Sequence, residues 1–537
     1  MIAAGLGLCR SILPGLLVVV WVGTILAADV RAEETTTGVG AVLPAKPPYA
    51  KLAAKHLDTL IAKGTDRYGR KHVPIWVLNL DLDSLNCFMR YHDGLERTYE
   101  SRMGQGHLSY SSWTPWGVGH RAIRISQRPA GCSNLYVDQP TLRAATLIDA
   151  LSGTPTYRPA IEAYVRYVLK HFIDPRNGLI RWGVHVSYEV FHERFNYEDG
   201  DHHELLVILP MWSALYDIEP KTMHQYLEKY WYWHTDPKTG QIDRHNTRGR
   251  GLGFAMAAGE IILACAFMHT KQPDGPWLDR ALQVAKAHWD PRNTETNLFP
   301  NRAYGSDKRF DRLTADTSIP GCWCSRVLMA GRLTGSKELT EMARQSLLAW
   351  ARFGWDDQAG KPWSMLQPDG KPVDKERLKG TAYAKQAAYG HWNFWKDYAY
   401  GFEMPFQTLM AFAMAAKWTG DPELAHHTQR LADCYRTLLP ANGDQGTFAA
   451  NYGRLISFFL VTEQITGDAA YRKTAQRIAD EAVGHLWAGR MFRGFKDRTH
   501  YTALEGAGQL MQGLVELEAD PKKLTALRDK DLFLWNF

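Results

Sequence analysis

One mark recurs along this chain and limits what it can become: a glycine separating two stretches of helical periodicity. It stands in Leu151-Ser152-Gly153-Thr154-Pro155, Leu333-Thr334-Gly335-Ser336, Trp418-Thr419-Gly420-Asp421-Pro422 and Ile465-Thr466-Gly467-Asp468. Glycine takes the left-handed conformation that ends a helix, and an Asp, Ser or Thr beyond it can cap the next one. The flanks are amphipathic, with Leu142, Ala145, Leu147 and Leu151 before one glycine and Ile161, Tyr164, Val165 and Val168 after it. Gly420 and Gly467 are 47 residues apart, the length of one two-helix unit.

The span from 140 to 520 then holds roughly seven or eight such hairpins, with some length lost to loops. A stack of hairpins can stay an open solenoid or close into a toroid. Repeats this irregular, with long aromatic-rich loops, favour an enzyme toroid. The expected class is all-α, an (α/α) barrel of about seven helical hairpins, with minor β-strand arms near the N-terminus and in loops. The best strand candidate is Ile75 to Asp83, where Trp76, Leu78, Leu80 and Leu82 share one face.

Residues 1–32 read as a secretory leader: Arg10, an apolar run from Ile12 to Ala28, and Val30-Arg31-Ala32 as a small-residue cleavage motif. The expected divisions are that leader, a linker over 33–60, a catalytic toroid over 61–520 and a tail over 521–537. No later stretch approaches about 18 uninterrupted apolar residues, so no membrane span is expected in the mature chain. The expected setting is periplasmic or extracellular, and the expected state is a monomer.

The hydrophobic fraction of 45% suffices for a large core. A net charge of +6 without runs of basic residues argues against a nucleic-acid partner while permitting an anionic substrate. Six cysteines follow the leader, too sparse for disulfides to hold the fold, and Cys322-Trp323-Cys324 lacks the second pair of a zinc knuckle. Several tryptophans sit in polar or Gly/Pro-rich text (Trp113, Trp116, Trp323, Trp363, Trp392, Trp395). Such rings can stack on sugars in a cleft, although any single one is more often packing.

Chemistry concentrates between 181 and 245. Arg181-Trp182-Gly183-Val184-His185, Asp201-His202-His203-Glu204-Leu205-Leu206 and Ile242-Asp243-Arg244-His245 bring imidazoles, a carboxylate and a guanidinium. Imidazole with carboxylate suits a divalent transition ion such as Mn, Ni, Co or Zn better than Ca. Three protein ligands would leave coordination positions open, as catalysis requires. A lone histidine is more often a satisfied polar group than a ligand, and one of His202 and His203 should face away. Other patterns are incomplete: Arg250-Gly251-Leu252-Gly253-Phe254 lacks a preceding strand, and Asp199-Gly200-Asp201 is too short for an EF-hand.

The order of several blocks resembles the pectate lyases of polysaccharide lyase family 2. Those blocks are Asp66-Arg67-Tyr68-Gly69, Leu80-Asp81-Leu82-Asp83, Ser133-Asn134-Leu135 to Gln139, Leu142-Arg143, and Thr154-Pro155-Thr156-Tyr157. They continue with Gly178 to His185, His203-Glu204-Leu205-Leu206, Asp243-Arg244-His245 and Tyr501-Thr502-Ala503-Leu504-Glu505-Gly506-Ala507-Gly508. The resemblance implies an (α/α) barrel with strand-rich arms and metal-assisted β-elimination of a uronate polymer, expected to be pectate. It implies His185, Glu204 and His245 as metal ligands and Arg244 as the base. Trp182, Arg248 and Tyr501 are expected to bind substrate, an acidic polysaccharide or oligosaccharide. Val184, Asn246, and Thr502 with Glu505 depart from the family pattern, which bears on specificity.

Elimination removes the proton on C5, alpha to a carboxylate, and breaks the bond to O4. A metal on that carboxylate would stabilise the developing charge. Arginine is an awkward base, with a pKa above about 12, so Arg244 either takes the proton or stabilises charge while another group takes it. The alternatives are a glycoside or uronyl hydrolase of the same barrel type, and a non-catalytic glycan-binding protein. A hydrolase needs two flanking carboxylates, for which Glu189, Asp201, Asp316 and Glu403 are candidates.

Overall fold

The computed structural model describes residues 48–88, 131–183, 186–196, 203–205, 207–248, 253–301, 315–373, 390–392, 394–395, 405–438, 440 and 446–537. Among these the helices run α1 (Tyr49–Gly64), α2 (Gln139–Ser152), α3 (Arg158–His171), α4 (Trp212–Ile218), α5 (Pro220–His234), α6 (Ala255–Lys271) and α7 (Trp277–Trp289). A π-helical turn, Ile319–Cys324, leads into α8 (Ser325–Thr334), followed by α9 (Lys337–Phe353), α10 (Pro405–Thr419) and α11 (Pro422–Thr437). The last four are α12 (Ala449–Thr466), α13 (Ala470–Leu486), α14 (Ala507–Glu518) and α15 (Pro521–Lys530).

Two kinds of helix alternate, and their residues say why. In α6 every residue from Ala255 to Met268 is buried, and the same holds from Pro405 to Ala416 in α10 and Ala449 to Thr462 in α12. A helix that is apolar on all sides has no face for water and must lie inside. By contrast α3 buries only the stripe Ile161, Tyr164, Val165, Val168 and Leu169, so it covers the outside. The even-numbered helices accordingly form an inner ring, neighbour against neighbour from α4 through α6, α8, α10, α12 and α14 to α2. Polar bonds close it: Met211 N–H donates to Gln139 Oε1 (2.7 Å), and Arg143 Nη2 donates to the Leu209 carbonyl (2.8 Å). This is the expected (α/α) toroid of seven hairpins.

The punctuating glycines stand at helix ends. Gly153, Gly335, Gly420 and Gly467 have φ of 75°, 71°, 68° and 73°. Ser336 and Asp421 cap the helices that follow, accepting from the N–H groups of Leu339 and of Glu423 and Leu424. Gly453 serves packing instead. A Cβ there would stand 2.1 Å from the Gln509 carbonyl oxygen on α14, a backbone atom that cannot swing aside. Gly453→Ala is expected to cost at least about 1–3 kcal/mol and lower Tm by several degrees. An unchanged Tm in a calorimetric scan would mean that α12 and α14 do not touch there.

The strands are minor arms. β1 (Asn79–Asp81) pairs with a late strand; β2 (Cys132–Ser133), β3 (Tyr188–Glu189) and β4 (Arg194–Phe195) form one antiparallel sheet. β5 (Ala315–Asp316) pairs with β8 (Met365–Leu366), and β6 (Trp355–Asp356) with β7 (Lys361–Pro362). β9 (His500–Thr502) is the partner of β1, with Leu80 opposite Tyr501. The strand expected over Ile75–Asp83 is shorter than its alternation suggests, and both faces are buried: Ile75, Val77 and Asn79 are covered as fully as Leu80.

Both edges of the expected toroid extend further. α1 begins inside the stretch read as linker and buries Leu52, Leu57 and Leu60. The stretch read as a tail folds under the ring. Arg143 Nε and Gln512 Nε2 donate to the carbonyls of Phe533 and Leu534 (both 2.7 Å), and Trp535 packs edge-on against Trp418. No described helix is long and apolar enough to cross a membrane. None of the six described cysteines is in a disulfide. The leader, residues 1–32, lies outside the described residues.

Candidate active site

The chain delivers the site by using one local device twice. After α3 it reads Asp174-Pro175-Arg176-Asn177-Gly178-Leu179, and after α5, 62 residues later, Asp236-Pro237-Lys238-Thr239-Gly240-Gln241. Each folds into the same tight hairpin. The Asp N–H donates to the carbonyl of Leu179 or Gln241 (both 2.8 Å), and the Gly N–H returns to the Asp carbonyl (2.7 and 2.9 Å). Gly178 and Gly240 take φ of 74° and 70°, which glycine tolerates without strain. The returning strands carry Trp182-Gly183 and Arg244-His245 at matching positions on consecutive hairpins.

Between them runs His203-Glu204-Leu205. Glu204 N–H donates to the Trp182 carbonyl (3.2 Å), and Leu205 N–H to the Arg244 carbonyl (2.8 Å). Glu204 and His245 are an antiparallel bridge pair. The approach is close: a Cβ on Gly183, whose φ is +144°, would sit 2.8 Å from Glu204 Cβ. Any larger residue at 183 would push the carboxylate away.

The side chains converge. Arg244 Nη1 lies 3.6 Å and His245 Nε2 3.9 Å from Glu204 Oε1, and Arg244 Nε donates to His245 Nε2 (3.0 Å). The Glu204 side chain is 1% exposed, that of Arg244 14% and that of His245 24%, so the group opens on the imidazole side. Arg244 and His245 lie in a bend and a bridge, not a helix, which lets neighbours in sequence turn into one site. Accepting from Arg244 Nε commits the Nε2 lone pair of His245 to the guanidinium, so a cation bound there would take the place of that bond. A separation of 3.9 Å is below twice a ligand bond of about 2.0–2.2 Å, so one cation could reach both donors. Carboxylate oxygen and imidazole nitrogen are donors of the kind a divalent transition ion takes, and they are two: no group of three or more such side chains occurs among the described residues. His185, the third expected ligand, lies outside the described residues, as do Asp201, His202, Arg250 and Glu403.

Asn134 ties together the two described residues on either side of 184–185. Its Nδ2 donates to the carbonyls of Gly183 (2.7 Å) and Val186 (2.9 Å), the two residues flanking 184–185, while its Oδ1 accepts from Tyr136 N–H. Asn134→Asp keeps the size and the acceptor but cannot donate. It is expected to lower turnover about tenfold or more, in the range for outer partners of metal ligands. Steady-state rates with near-normal Tm would show this; full activity would make the clamp dispensable.

Beneath the site lies a buried chain of neutral rings. Trp182 Nε1 donates to His203 Nε2 (2.9 Å), beside the Tyr226 hydroxyl (2.6 Å from the same atom). These partners assign the proton of His203 to Nδ1, which faces His234 Nε2 (2.8 Å); His234 Nδ1 in turn donates to the Asp243 carbonyl (2.8 Å). Burial holds His203 well below the usual histidine range and His234 at about 3, so both stay neutral. The chain ties the residue before Glu204 to the residue before Arg244.

Two expected substrate contacts are corrected. Trp182 is 1% exposed, its indole spent on His203, so it cannot stack on a sugar. Tyr501 is fully buried in the β1–β9 ladder, edge-on to His56. Arg248 is partly exposed, four residues after Arg244, and stacks 4.3 Å over the exposed Tyr232 ring. Of the expected cleft tryptophans, Trp323 stacks on Trp289 in the core, Trp392 and Trp395 are buried, and Trp363 stacks on His391. Trp113 and Trp116 lie outside the described residues. Of the carboxylates weighed for hydrolysis, Glu189 pairs with Arg194 and His192, and Asp316 is fully buried and held at about 7 by that burial.

Residues 124–256 match the family model described as periplasmic pectate lyase. Over 109 residues the chain is 25% identical to the pectate disaccharide-lyase of Dickeya dadantii (strain 3937), which is 20% of each chain. The chain thus spans about a fifth of the length of that curated relative. Among solved structures it is similar to a D-mannose isomerase (9% identical, 88% of this chain and 99% of that one, TM-score 0.46). It is also similar to a family 76 glycoside hydrolase from a bovine Bacteroides thetaiotaomicron strain (11% identical, 88% and 78%, TM-score 0.44). An unsaturated glucuronyl hydrolase from Bacillus sp. GL1 is 12% identical, over 57% of this chain and 84% of that one, with a TM-score of 0.37. Across 124–256, the stretch that contains Glu204, Arg244 and His245, this chain is pectate lyase-like.

Proposed function

We propose that this protein is an exported polysaccharide lyase that cleaves a uronate polymer, pectate or polygalacturonate, by metal-assisted β-elimination. The observation that carries the reading is the meeting of Glu204 with Arg244 and His245, where the 203–205 segment runs between two copies of one hairpin. The pectate lyase match over the same stretch supports it. Glu204 and His245, with His185, would hold a divalent ion. Bound there, the ion would supply Lewis-acid stabilisation of charge developing on the C6 carboxylate.

The chain's own residues do the rest. Arg244 stands beside both ligands, its guanidinium over the Phe254 ring (5.7 Å) and largely out of water. From there it either accepts the C5 proton or holds the carboxylate while another group does. Arg248, partly exposed, can meet a neighbouring carboxylate of an acidic oligosaccharide or polymer.

Mass spectrometry of the products from a short oligogalacturonate tests the reaction class. Elimination leaves each new non-reducing end unsaturated, one water lighter than the hydrolytic product. Saturated products would replace this reading with a hydrolase, and intact substrate with a binding protein.

A further inference from the structure

A cavity of about 440 Å3 is lined by Arg181, the residue before Trp182. It lies between α3, the loop at Lys71 and the β3–β4 hairpin. Its size falls in the range of small-ligand pockets, about 300–1,000 Å3. Its base is an aromatic cluster, Phe172, Tyr188 and Phe195, with ring centroids 4.8–5.4 Å apart.

Its wall is cationic. Lys71, Arg181 and Arg194 face one lining carboxylate, Glu193. That carboxylate pairs with Lys71 Nζ (3.8 Å) and accepts from the backbone N–H groups of Arg70 and Lys71, from a residue held at φ +54°. Arg194 is engaged by Glu189 at 3.2 Å. Arg181 is the least satisfied. Asp174, 3.8 Å away, already takes a two-pronged bond from Arg176, and Arg181 Nε is buried with no hydrogen-bond partner among the described residues. The guanidinium lies over the Phe195 ring at 5.1 Å. A planar, under-neutralised fork against an aromatic base suits a carboxylate carried on an apolar-faced ring.

We propose that this cavity is an accessory site for a uronate residue, with Arg181 as the main contact to its carboxylate and Arg194 as the second. The proposal deepens the function given above, since a uronate polymer presents such a carboxylate on every ring. It also gives the neighbouring strand a reason to carry an arginine: Arg181 directly precedes Trp182, whose carbonyl holds Glu204.

The test is equilibrium dialysis of digalacturonate against full-length protein with Glu204→Gln and His245→Gln, in chelator, so that the metal-centre site is disabled. Saturable binding should survive in this protein and weaken at least tenfold when Arg181→Gln and Arg194→Gln are added. Arg181→Lys should restore only part of it, and neither maltose nor inorganic sulfate should compete. No binding in the disabled protein, binding indifferent to the two arginines, or equal competition by sulfate would each overturn the assignment. Elimination by the unaltered protein is scored separately, so failure here leaves the function intact, and failure there leaves this binding site standing as measured. A parallel Arg181→Gln, Arg194→Gln variant with intact metal ligands should keep its Tm, which separates lost binding from lost folding.

Discussion

Glu204→Gln is expected to abolish metal-dependent cleavage while leaving the fold in place. The backbone contacts that hold residue 204, its N–H to the Trp182 carbonyl and its bridge to His245, do not use the side chain. The carboxylate itself is 1% exposed beside Arg244 and His245, so its charge is the group's anionic donor. An amide of the same shape has no charge to offer a cation and leaves Arg244 without its counterion. Even outer partners of metal ligands cost about 10–100-fold, so the ligand should cost more than about a hundredfold in rate and weaken metal binding together with it. Isothermal titration with Mn, Co, Ni or Zn alongside initial rates reads both. Activity within a few-fold of the parent would remove Glu204 from the site.

Arg244→Lys separates the arginine from the ligands. Arginine reaches both neighbours at once, Nη1 toward Glu204 and Nε to His245. Lysine keeps the charge but has one nitrogen and no fixed fork. Turnover is expected to fall by about a hundredfold or more, within the 10²–10⁴ typical of a positioned acid–base group, with metal affinity little changed. His245→Ala should weaken both. Near-normal turnover in Arg244→Lys would leave the metal-site proposal standing without the arginine.

The helical hairpins were legible because burial sets the pattern directly: helices apolar on all sides alternate with striped ones, and glycine must end them. The strand at 75–83 was only partly legible, since Asn79 on its second face is not solvated but buried, accepting from Gly131 N–H and donating to the Phe88 carbonyl. The meeting of Glu204, Arg244 and His245 follows from motif order, while its physical cause is the repeated Asp-Pro-x-x-Gly hairpin. A self-comparison of the sequence at an offset of 62 residues finds it. Trp182 and Tyr501 were misplaced because an aromatic beside a motif looks the same in sequence whether it faces a sugar or supports a histidine. The Asn134 clamp on Val186 and the His203–His234 pair reach across 52 and 31 residues, which no local spacing reveals.

Under the proposed function this chain eliminates and needs a divalent ion to do so. The direct measurement follows ultraviolet absorbance while the full chain acts on polygalacturonate, then with chelator, then with Mn, Co, Ni or Zn restored. The account predicts a steady rise from the conjugated unsaturated uronate, its arrest by chelator and its return with at least one of these ions. Shortening of the polymer without that absorbance, or a rise indifferent to chelator, would contradict it.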